Sequence, residues 1–181
     1  MKHLTLAQSL NLFQTLFSSA KHQMFKAEVL QDYSAVDDCP SLRAWLSGNK
    51  EKARELGSAD PNIIDYRNAC LKSPAKITRV HVVASPFTPY LAWEIAVCYK
   101  DSLLAHNAES ILLTPYNHVA DLELPDGDFW IFDNARVLQW QYTQGKTSGA
   151  LLWDIAAGDD VNHFMQLKQA LLAQAVPVEG W

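Results

Sequence analysis

The sequence predicts an α+β fold, in which N-terminal helices precede a mixed β-sheet with a β-α-β core, a hairpin and a C-terminal helix. Apolar residues at helical spacing dominate residues 1–75, whereas runs rich in β-branched residues begin at Ile77. A proline-led helix separates the first two of those strands. We therefore expect residues 1–75 to form a helical N-terminal extension and residues 76–181 to form the α+β sheet region, together as one compact domain.

The N-terminal region predicts three helices. Residues 5–30 carry an apolar stripe at spacings of three and four, which predicts one long helix. The stripe consists of Leu6, Leu10, Phe13, Phe17, Ala20 and Met24. The segment from Asp37 to Ser41 breaks this pattern, and Ser41 is expected to cap a second helix over residues 42–46. A third, short helix is expected at Ile63–Leu71.

The centre of the chain predicts a β-α-β unit. Ile77–Ala84 is rich in β-branched residues, as is typical of a strand. Thr88 is suited to cap the next helix and Pro89 to occupy its first turn, and that helix should extend to about Ala105. Ser110–Thr114 predicts the second strand. A right-handed crossover would make the two strands parallel.

The last third of the chain predicts a hairpin and a terminal helix. Asp128–Asp133 and Arg136–Thr143 are separated by Asn134-Ala135, a spacing typical of a tight antiparallel turn. Thr147–Trp153 predicts one further strand. The acidic pair Asp159-Asp160 favours the start of the terminal helix, because carboxylates are stabilised at the positive end of a helix dipole.

The composition argues against several functional classes. The chain has 181 residues, a formal net charge of −5 and a pI of about 5.6. A phosphate-backbone binder needs clustered Lys and Arg, so direct nucleic-acid binding is not expected. No apolar run approaches the roughly 20 residues of a membrane-spanning helix. The three widely spaced cysteines, Cys39, Cys70 and Cys98, are typical of reduced thiols in a cytoplasmic protein.

Arg79 is the first candidate for a functional site. In the predicted strand it shares one face with Ile77, His81 and Val83. A buried strand does not hold an arginine without a partner, so one interpretation is an exposed edge or a structural ion pair. The alternative is a guanidinium group that binds a carboxylate or phosphate of a ligand.

Further candidates lie where the next helix begins. Tyr90 and Glu94 are four residues apart and therefore share a helix face, with Trp93 beside it. The free N–H groups of a first helical turn favour an anionic group. We expect Ser85, Tyr90, Trp93 and Glu94 to contact a small anionic ligand, with Glu94 as a candidate general base. An ordinary solvated helix face is the alternative.

Glu109 and Asp133 complete the predicted site. Glu109 precedes the second strand, and the crossover brings that strand beside the strand of Arg79. Glu109 is therefore the second candidate acid-base residue, and a local contact with the end of the helix is the alternative. Asp133 ends a later strand and is expected close to the same cluster.

Neither a metal nor a cofactor is expected. The six histidines show none of the spacings typical of zinc ligands, and the chain has no P-loop or dinucleotide-binding glycine motif. Asp126-Gly127-Asp128 is too short for a calcium loop, and turn chemistry explains it about as well. Trp130 and Trp140 lie on neighbouring predicted strands, where they either pack across the strands or line a pocket.

The segments that carry these candidates resemble an uncharacterised bacterial family, the DUF6879 domain. The similarity is most specific in R-V-H-V-V-A-S-P-F-T-P-Y-L-A-W-E (79–94), N-A-E-S-I (107–111) and L-P-D-G-D-F-W-I-F-D (124–133), and it covers roughly residues 20–155. Where that family usually shows A-G-E, this chain has N-A-E, so the turn is built differently here. The resemblance implies a cytoplasmic bacterial protein, often encoded beside small helix-turn-helix regulators, and no established activity.

Two functional hypotheses follow. The first is a small-molecule- or protein-binding module with a regulatory role, whose partner is a small anionic ligand or another protein such as a helix-turn-helix regulator. The second is an enzyme acting on a small anionic or aminoacyl-type substrate, with Arg79 and Tyr90 binding it and Glu94 or Glu109 as the acid-base residue. A strongly raised pKa of Glu94 inside a concave pocket would favour the enzyme, and a flat, solvated Glu94 would favour the binding module.

Overall fold

The computed structural model describes residues 1–34 and 39–181, so the predicted break at Asp37 and Asp38 lies outside the described residues. The predicted α+β class is confirmed, because the described chain forms six α-helices and one eight-stranded mixed sheet. The strands are β1 (Lys2–Thr5), β2 (Gln23–Glu28), β3 (Lys76–Val83), β4 (Ser110–Pro115), β5 (Phe129–Phe132), β6 (Arg136–Thr143), β7 (Lys146–Asp154) and β8 (Val176–Pro177). The helices are α1 (Leu6–Ser19), α2 (Pro40–Leu46), α3 (Lys50–Ser58), α4 (Pro61–Lys72), α5 (Pro89–Trp93) and α6 (Asn162–Gln174).

Helix α5 continues directly as a π-helix over Glu94–Leu104. Its start is built as the sequence predicts, since the Thr88 side chain accepts a hydrogen bond from the Leu91 N–H at 3.0 Å and Pro89 occupies the first turn. An extended π-helix is rare in proteins, and short ones are frequent at functional sites. This segment is therefore a candidate functional region.

The sheet has the strand order β1-β7-β6-β5-β2-β3-β4-β8. The predicted parallel pairing of β3 and β4 is confirmed, with Arg79 opposite Ile111. Strand β2 also runs parallel to β3 and pairs antiparallel with β5 on its other side. The predicted hairpin of β5 and β6 is confirmed, and its turn places Asp133 and Asn134 in the left-handed region at φ 49° and 56°.

The predicted helix over residues 5–30 is wrong in its second half. Helix α1 ends at Ser19, because Ala20 takes an extended conformation at φ −62° and ψ 135°, and the chain then forms β2. Met24, the last residue of the predicted helical stripe, therefore lies in strand β2. Two neighbouring strands supply ladder partners for β2, and this tertiary pairing overrides the local helical pattern. Residues 1–75 thus contribute two strands to the sheet and not only helices.

The predicted cap at Ser41 is also wrong. Cys39 caps α2, with its Sγ 3.4 Å from the Leu42 N–H, and a proline occupies the first helical position. The Ser41 hydroxyl instead donates to the Ala53 carbonyl at 2.6 Å and accepts from Trp93 Nε1 at 2.9 Å. Ser41 therefore joins α2, α3 and α5 within the helical layer.

The sheet separates two cores. Alternate residues of β3 point to opposite faces, as predicted, so Arg79 and His81 lie on the face covered by α1, α4 and the π-helix, which we call the helical face. Val80 and Val82 lie on the opposite face, covered by α6, which we call the α6 face. No helix in the described residues is long and apolar enough to cross a membrane.

Candidate functional site

A cleft of about 860 Å³ opens between the helical layer and the helical face of the sheet. Aromatic residues form much of its wall, and they are Phe13, Tyr33, Tyr66, Trp93, Tyr99, Trp130, Trp140 and Tyr142. Charged side chains also line it, and they are Lys26, Glu28, Asp60, Arg79, Glu94, Asp128 and Lys146. Apolar walls with a few convergent polar groups are typical of a small-molecule site.

Arg79 is buried in this region and held by two carboxylates. Its Nε lies 2.8 Å from Glu109 Oε2 and its Nη2 lies 3.1 Å from Glu109 Oε1, which is a bidentate contact. Its Nη1 lies 3.1 Å from Glu28 Oε2. Tyr66 completes the arrangement, because its hydroxyl accepts from Nη2 at 3.2 Å and donates to Glu109. Arg79 therefore forms the structural ion pair that was one interpretation of it, and its partners are Glu28 and Glu109.

Glu28, the last residue of β2, is the centre of the charged cluster. Besides Arg79, it contacts the Lys26 ammonium and accepts a hydrogen bond from the Tyr99 hydroxyl at 2.5 Å. Burial alone would raise the pKa of Glu28, but Arg79 and Lys26 outweigh it and hold the pKa below its usual range. Glu28 is therefore an anion at neutral pH, and burial together with Glu28 raises the pKa of Tyr99.

His81 lies beside Glu28 and is fully buried. Its Nε2 is 2.8 Å from the Leu30 carbonyl oxygen. A carbonyl can only accept, so Nε2 carries the proton. Its Nδ1 faces the Tyr99 hydroxyl at 2.8 Å, Glu28 Oε2 at 3.4 Å and Glu94 Oε2 at 3.6 Å. Burial lowers the pKa of His81, although Glu28 opposes this effect.

Asp128 occupies the cleft beside β5 and accepts three hydrogen bonds. The donors are the Val29 N–H at 2.9 Å, the Tyr33 hydroxyl at 2.7 Å and the Tyr142 hydroxyl at 2.8 Å. Burial and nearby Glu28 raise the pKa of Asp128. The preceding Gly127 has a packing role, since a Cβ there would collide with the Trp140 carbonyl oxygen.

The structure brings together only part of the predicted site. Arg79 and Glu109 are in direct contact, and Trp93 and Glu94 line the same cleft. Tyr90 is buried in a neighbouring aromatic cluster, 5.7 Å from Tyr33 between ring centroids. The expected convergence of Arg79, Tyr90, Glu94 and Glu109 at the start of α5 is therefore wrong. Tyr90 packs in another cluster, and the contacts of Arg79 turn it towards β2 and the start of β4.

Ser85 and Asp133 lie outside the cleft. Ser85 is exposed in the loop between β3 and α5. Asp133 lies in the hairpin turn, where its carboxylate accepts the backbone N–H groups of Lys21, His22 and Gln23 at 2.8–2.9 Å. The predicted proximity of Asp133 to the Arg79 cluster is thus wrong. Its physical role is to hold the start of β2 against the turn.

Sequence reasoning missed Glu28, Tyr66 and Tyr99. Glu28 was placed in a helix, and Tyr66 comes from α4, which is distant in sequence from the strands. Tyr99 was missed because α-helical spacing pairs Glu94 with residues three or four positions later. In the π-helix, Glu94 and Tyr99 lie five residues apart on the cleft side. Trp130 and Trp140 both line the cleft, which agrees with one of the two interpretations of these residues.

Three buried residues are arranged so that they could hold a metal ion. One ligand atom each from Glu28, His81 and Glu94 lies within 4.8 Å of the other two. No local spacing could have indicated this group, because its members come from β2, β3 and the π-helix.

Comparison with known proteins identifies the family. No curated protein matches the chain. The signature described as Domain of unknown function (DUF6879) matches residues 11–181 and so extends beyond the segment that carries the resemblance. It includes all the charged and aromatic residues of the cleft named above, from Phe13 to Lys146. The chain therefore belongs to the DUF6879 family.

Proposed function

We propose that this protein is a small-molecule-binding module with a regulatory role, and that its ligand occupies the cleft on the helical face. The observation that carries the proposal is the cleft itself, about 860 Å³ in volume, with aromatic walls and a buried charged cluster. Burying several charges lowers stability unless each finds a partner, so a packed apolar core would serve the fold equally well. The presence of this charged cluster beside a cleft supports a binding role.

The contacts of the basic residues favour a cationic ligand over the anionic one predicted from the sequence. Arg79 already binds Glu28 and Glu109, and Lys26 also contacts Glu28. An incoming anion would have to compete with these carboxylates. The half-buried Trp140 offers an aromatic face of the kind that attracts ammonium and guanidinium groups, and Asp128 also lines the cleft. A small amine or guanidinium compound is therefore the expected class.

Native mass spectrometry of the purified protein, followed by calorimetry with small amines and carboxylates matched in size, tests this proposal. Amines should bind and the matched carboxylates should not. Trp140→Ala should weaken amine binding about tenfold, the equivalent of roughly 1.4 kcal/mol. Trp153→Ala is the matched control, because Trp153 lies on the α6 face against Phe164. Equal weakening by both substitutions, or selective binding of carboxylates, would contradict the proposal.

An enzyme is the second candidate. The observation that favours it is the position of Glu94, which is buried and lines the cleft next to His81. An aminoacyl-type substrate carries an amino group, so it would fit the preference of the cleft for a cationic ligand. It is also one of the two substrate classes expected from the sequence. Glu94→Gln should then abolish turnover of a bound amine while leaving its affinity within a few fold, whereas a binding module would show no turnover in either form.

The regulatory role and the cellular context rest on the resemblance and on the thiols. The family resemblance implies a bacterial protein encoded beside helix-turn-helix regulators, so such a regulator is the proposed protein partner. The three widely spaced cysteines, Cys39, Cys70 and Cys98, are compatible with the proposed reducing cytoplasm. We expect the regulator encoded beside this protein to co-purify with it and to dissociate when the amine ligand is added. If the two proteins do not associate with or without the ligand, the proposed regulatory partner is wrong.

A further inference from the structure

We infer that Glu28, His81 and Glu94 form a binding site for a divalent transition metal, with Zn²⁺ as the expected ion. This inference goes beyond the proposed ligand site and does not depend on it. All three residues are buried, and they converge from the end of β2, the middle of β3 and the start of the π-helix. Sheet pairing positions β2 and β3, and the capped helix α5 leads directly into the π-helix that carries Glu94.

The distances suit tetrahedral coordination. His81 Nδ1 lies 3.4 Å from Glu28 Oε2 and 3.6 Å from Glu94 Oε2. Ligands bound at about 2.0–2.2 Å to a tetrahedral centre are separated from one another by about 3.3–3.6 Å. His81 and either carboxylate are therefore already spaced as two ligands of one ion. Mg²⁺ and Ca²⁺ prefer all-oxygen sites, whereas a nitrogen with two carboxylates suits Zn²⁺.

His81 has the orientation of a metal ligand. Its Nε2–H donates to the Leu30 carbonyl at 2.8 Å, so Nδ1 is the ring nitrogen that faces the Tyr99 hydroxyl at 2.8 Å and the two carboxylates at 3.4 and 3.6 Å. Metal-bound histidines usually donate their second N–H to a carbonyl or carboxylate in this way. This contact comes from outside the three-residue group and supports it independently.

The charges around the site also favour a divalent cation. Four carboxylates lie at the base of the cleft or directly behind it, from Glu28, Glu94, Glu109 and Asp128, against the two permanent cations Lys26 and Arg79. Excess negative charge in a buried site is unfavourable. The four carboxylates and two cations leave a net charge of −2, which one Zn²⁺ would neutralise. A proton on Nδ1 is the competing explanation, since it would donate to Tyr99, whose hydroxyl then donates to Glu28.

Metal analysis of the full chain tests the inference. Protein treated with a chelator and then given Zn²⁺ should retain one equivalent after buffer exchange, as measured by plasma mass spectrometry. Co²⁺ in place of Zn²⁺ should give the intense visible bands of tetrahedral coordination without a thiolate charge-transfer band. The absence of that band matters because Cys39 and Cys98 also line the cleft.

Variants assign the ligands. His81→Gln should weaken Zn²⁺ binding by about 100-fold or more, while His163→Gln and Cys98→Ser should bind as the wild type does, because His163 is exposed and Cys98 is not among the three ligands. Failure of His81→Gln to fold leaves the wild-type Zn²⁺ and Co²⁺ measurements decisive. The inference is overturned if the wild type retains no equivalent of Zn²⁺, if Co²⁺ shows a thiolate band, or if nuclear magnetic resonance finds Nδ1 protonated in the presence of Zn²⁺.

Discussion

The helical face and the α6 face are formed by alternate residues of the same strands. On β2, Phe25 and Ala27 pack towards α6, while Lys26 and Glu28 point towards the cleft. The α6 face resembles an ordinary domain core, in which apolar burial stabilises the fold. The helical face buries charges that stabilise the fold only when every partner is present. Apolar burial therefore stabilises both faces, and the helical face differs in also burying a charged cluster beside a cleft.

The largest expected effect is that of Arg79→Ala. The substitution leaves Glu28 and Glu109 buried without their guanidinium partner, so we expect a loss of about 3–5 kcal/mol in the free energy of unfolding, measured by urea denaturation. Arg136→Ala is the control, since its ion pair with Asp154 is partly exposed and should contribute less than about 1 kcal/mol. Equal losses of stability in both variants would show that the buried charges of the helical face depend on their partners no more than a partly exposed ion pair does.

Leu171→Ala tests the opposite face. Leu171 is fully buried on the inner side of α6, and its truncation should lower the free energy of unfolding by about 3 kcal/mol while leaving ligand and Zn²⁺ binding unchanged. The adjacent Leu172 exposes 36% of its surface, so Leu172→Ala should have a much smaller effect. A loss of Zn²⁺ binding in folded Leu171→Ala would show that the two faces are coupled, contrary to the division drawn above.

Tyr33→Phe is expected to have an intermediate effect on the helical face. It removes one of the three donors to the buried Asp128 carboxylate and should lower the free energy of unfolding by about 1–2 kcal/mol, measured by thermal or urea denaturation. Tyr116→Phe is the control, because Tyr116 is 57% exposed. A Tyr33→Phe variant as stable as the wild type would mean that the remaining donors satisfy Asp128.

The contrast between the faces also explains what the sequence could predict. Alternation in β3 placed Arg79 and His81 on one face, and the proline-led helix implied the parallel neighbour that brings Glu109 to Arg79. Both inferences use patterns local to a strand or a single crossover. Glu28 could not be placed, because residues 20–28 fit a helical stripe and only pairing with β3 and β5 makes them a strand.

The π-helix limited prediction in a second way. Its hydrogen bonding changes which residues share a helix face, and a sequence pattern carries no clear signal for that change. Tyr99 therefore reaches the charged cluster, while Asp101, which α-helical spacing would place towards Tyr90 and Glu94, forms an exposed ion pair with Arg54. The residues that were hardest to predict are those that make the site on the helical face.

The smallest effect is expected outside both cores, at Asp133. Three backbone N–H groups donate to its carboxylate, and they lower its pKa even though partial burial acts in the opposite direction. Because the folded pKa lies below the unfolded one, the stabilisation is complete above the unfolded pKa and is lost as the pH falls through the folded pKa. Asp133→Asn keeps a side chain that tolerates the left-handed turn conformation but loses the charge.

We therefore expect Asp133→Asn to be about 1 kcal/mol less stable than the wild type at pH 7, since the bonds lie near solvent. Urea denaturation at a series of pH values should show the difference shrinking between about pH 5 and pH 2. Asp126→Asn, at an exposed turn, is the control and should show little difference at any pH. A pH-independent difference for Asp133→Asn would mean that the turn geometry, and not the ionised carboxylate, stabilises the start of β2.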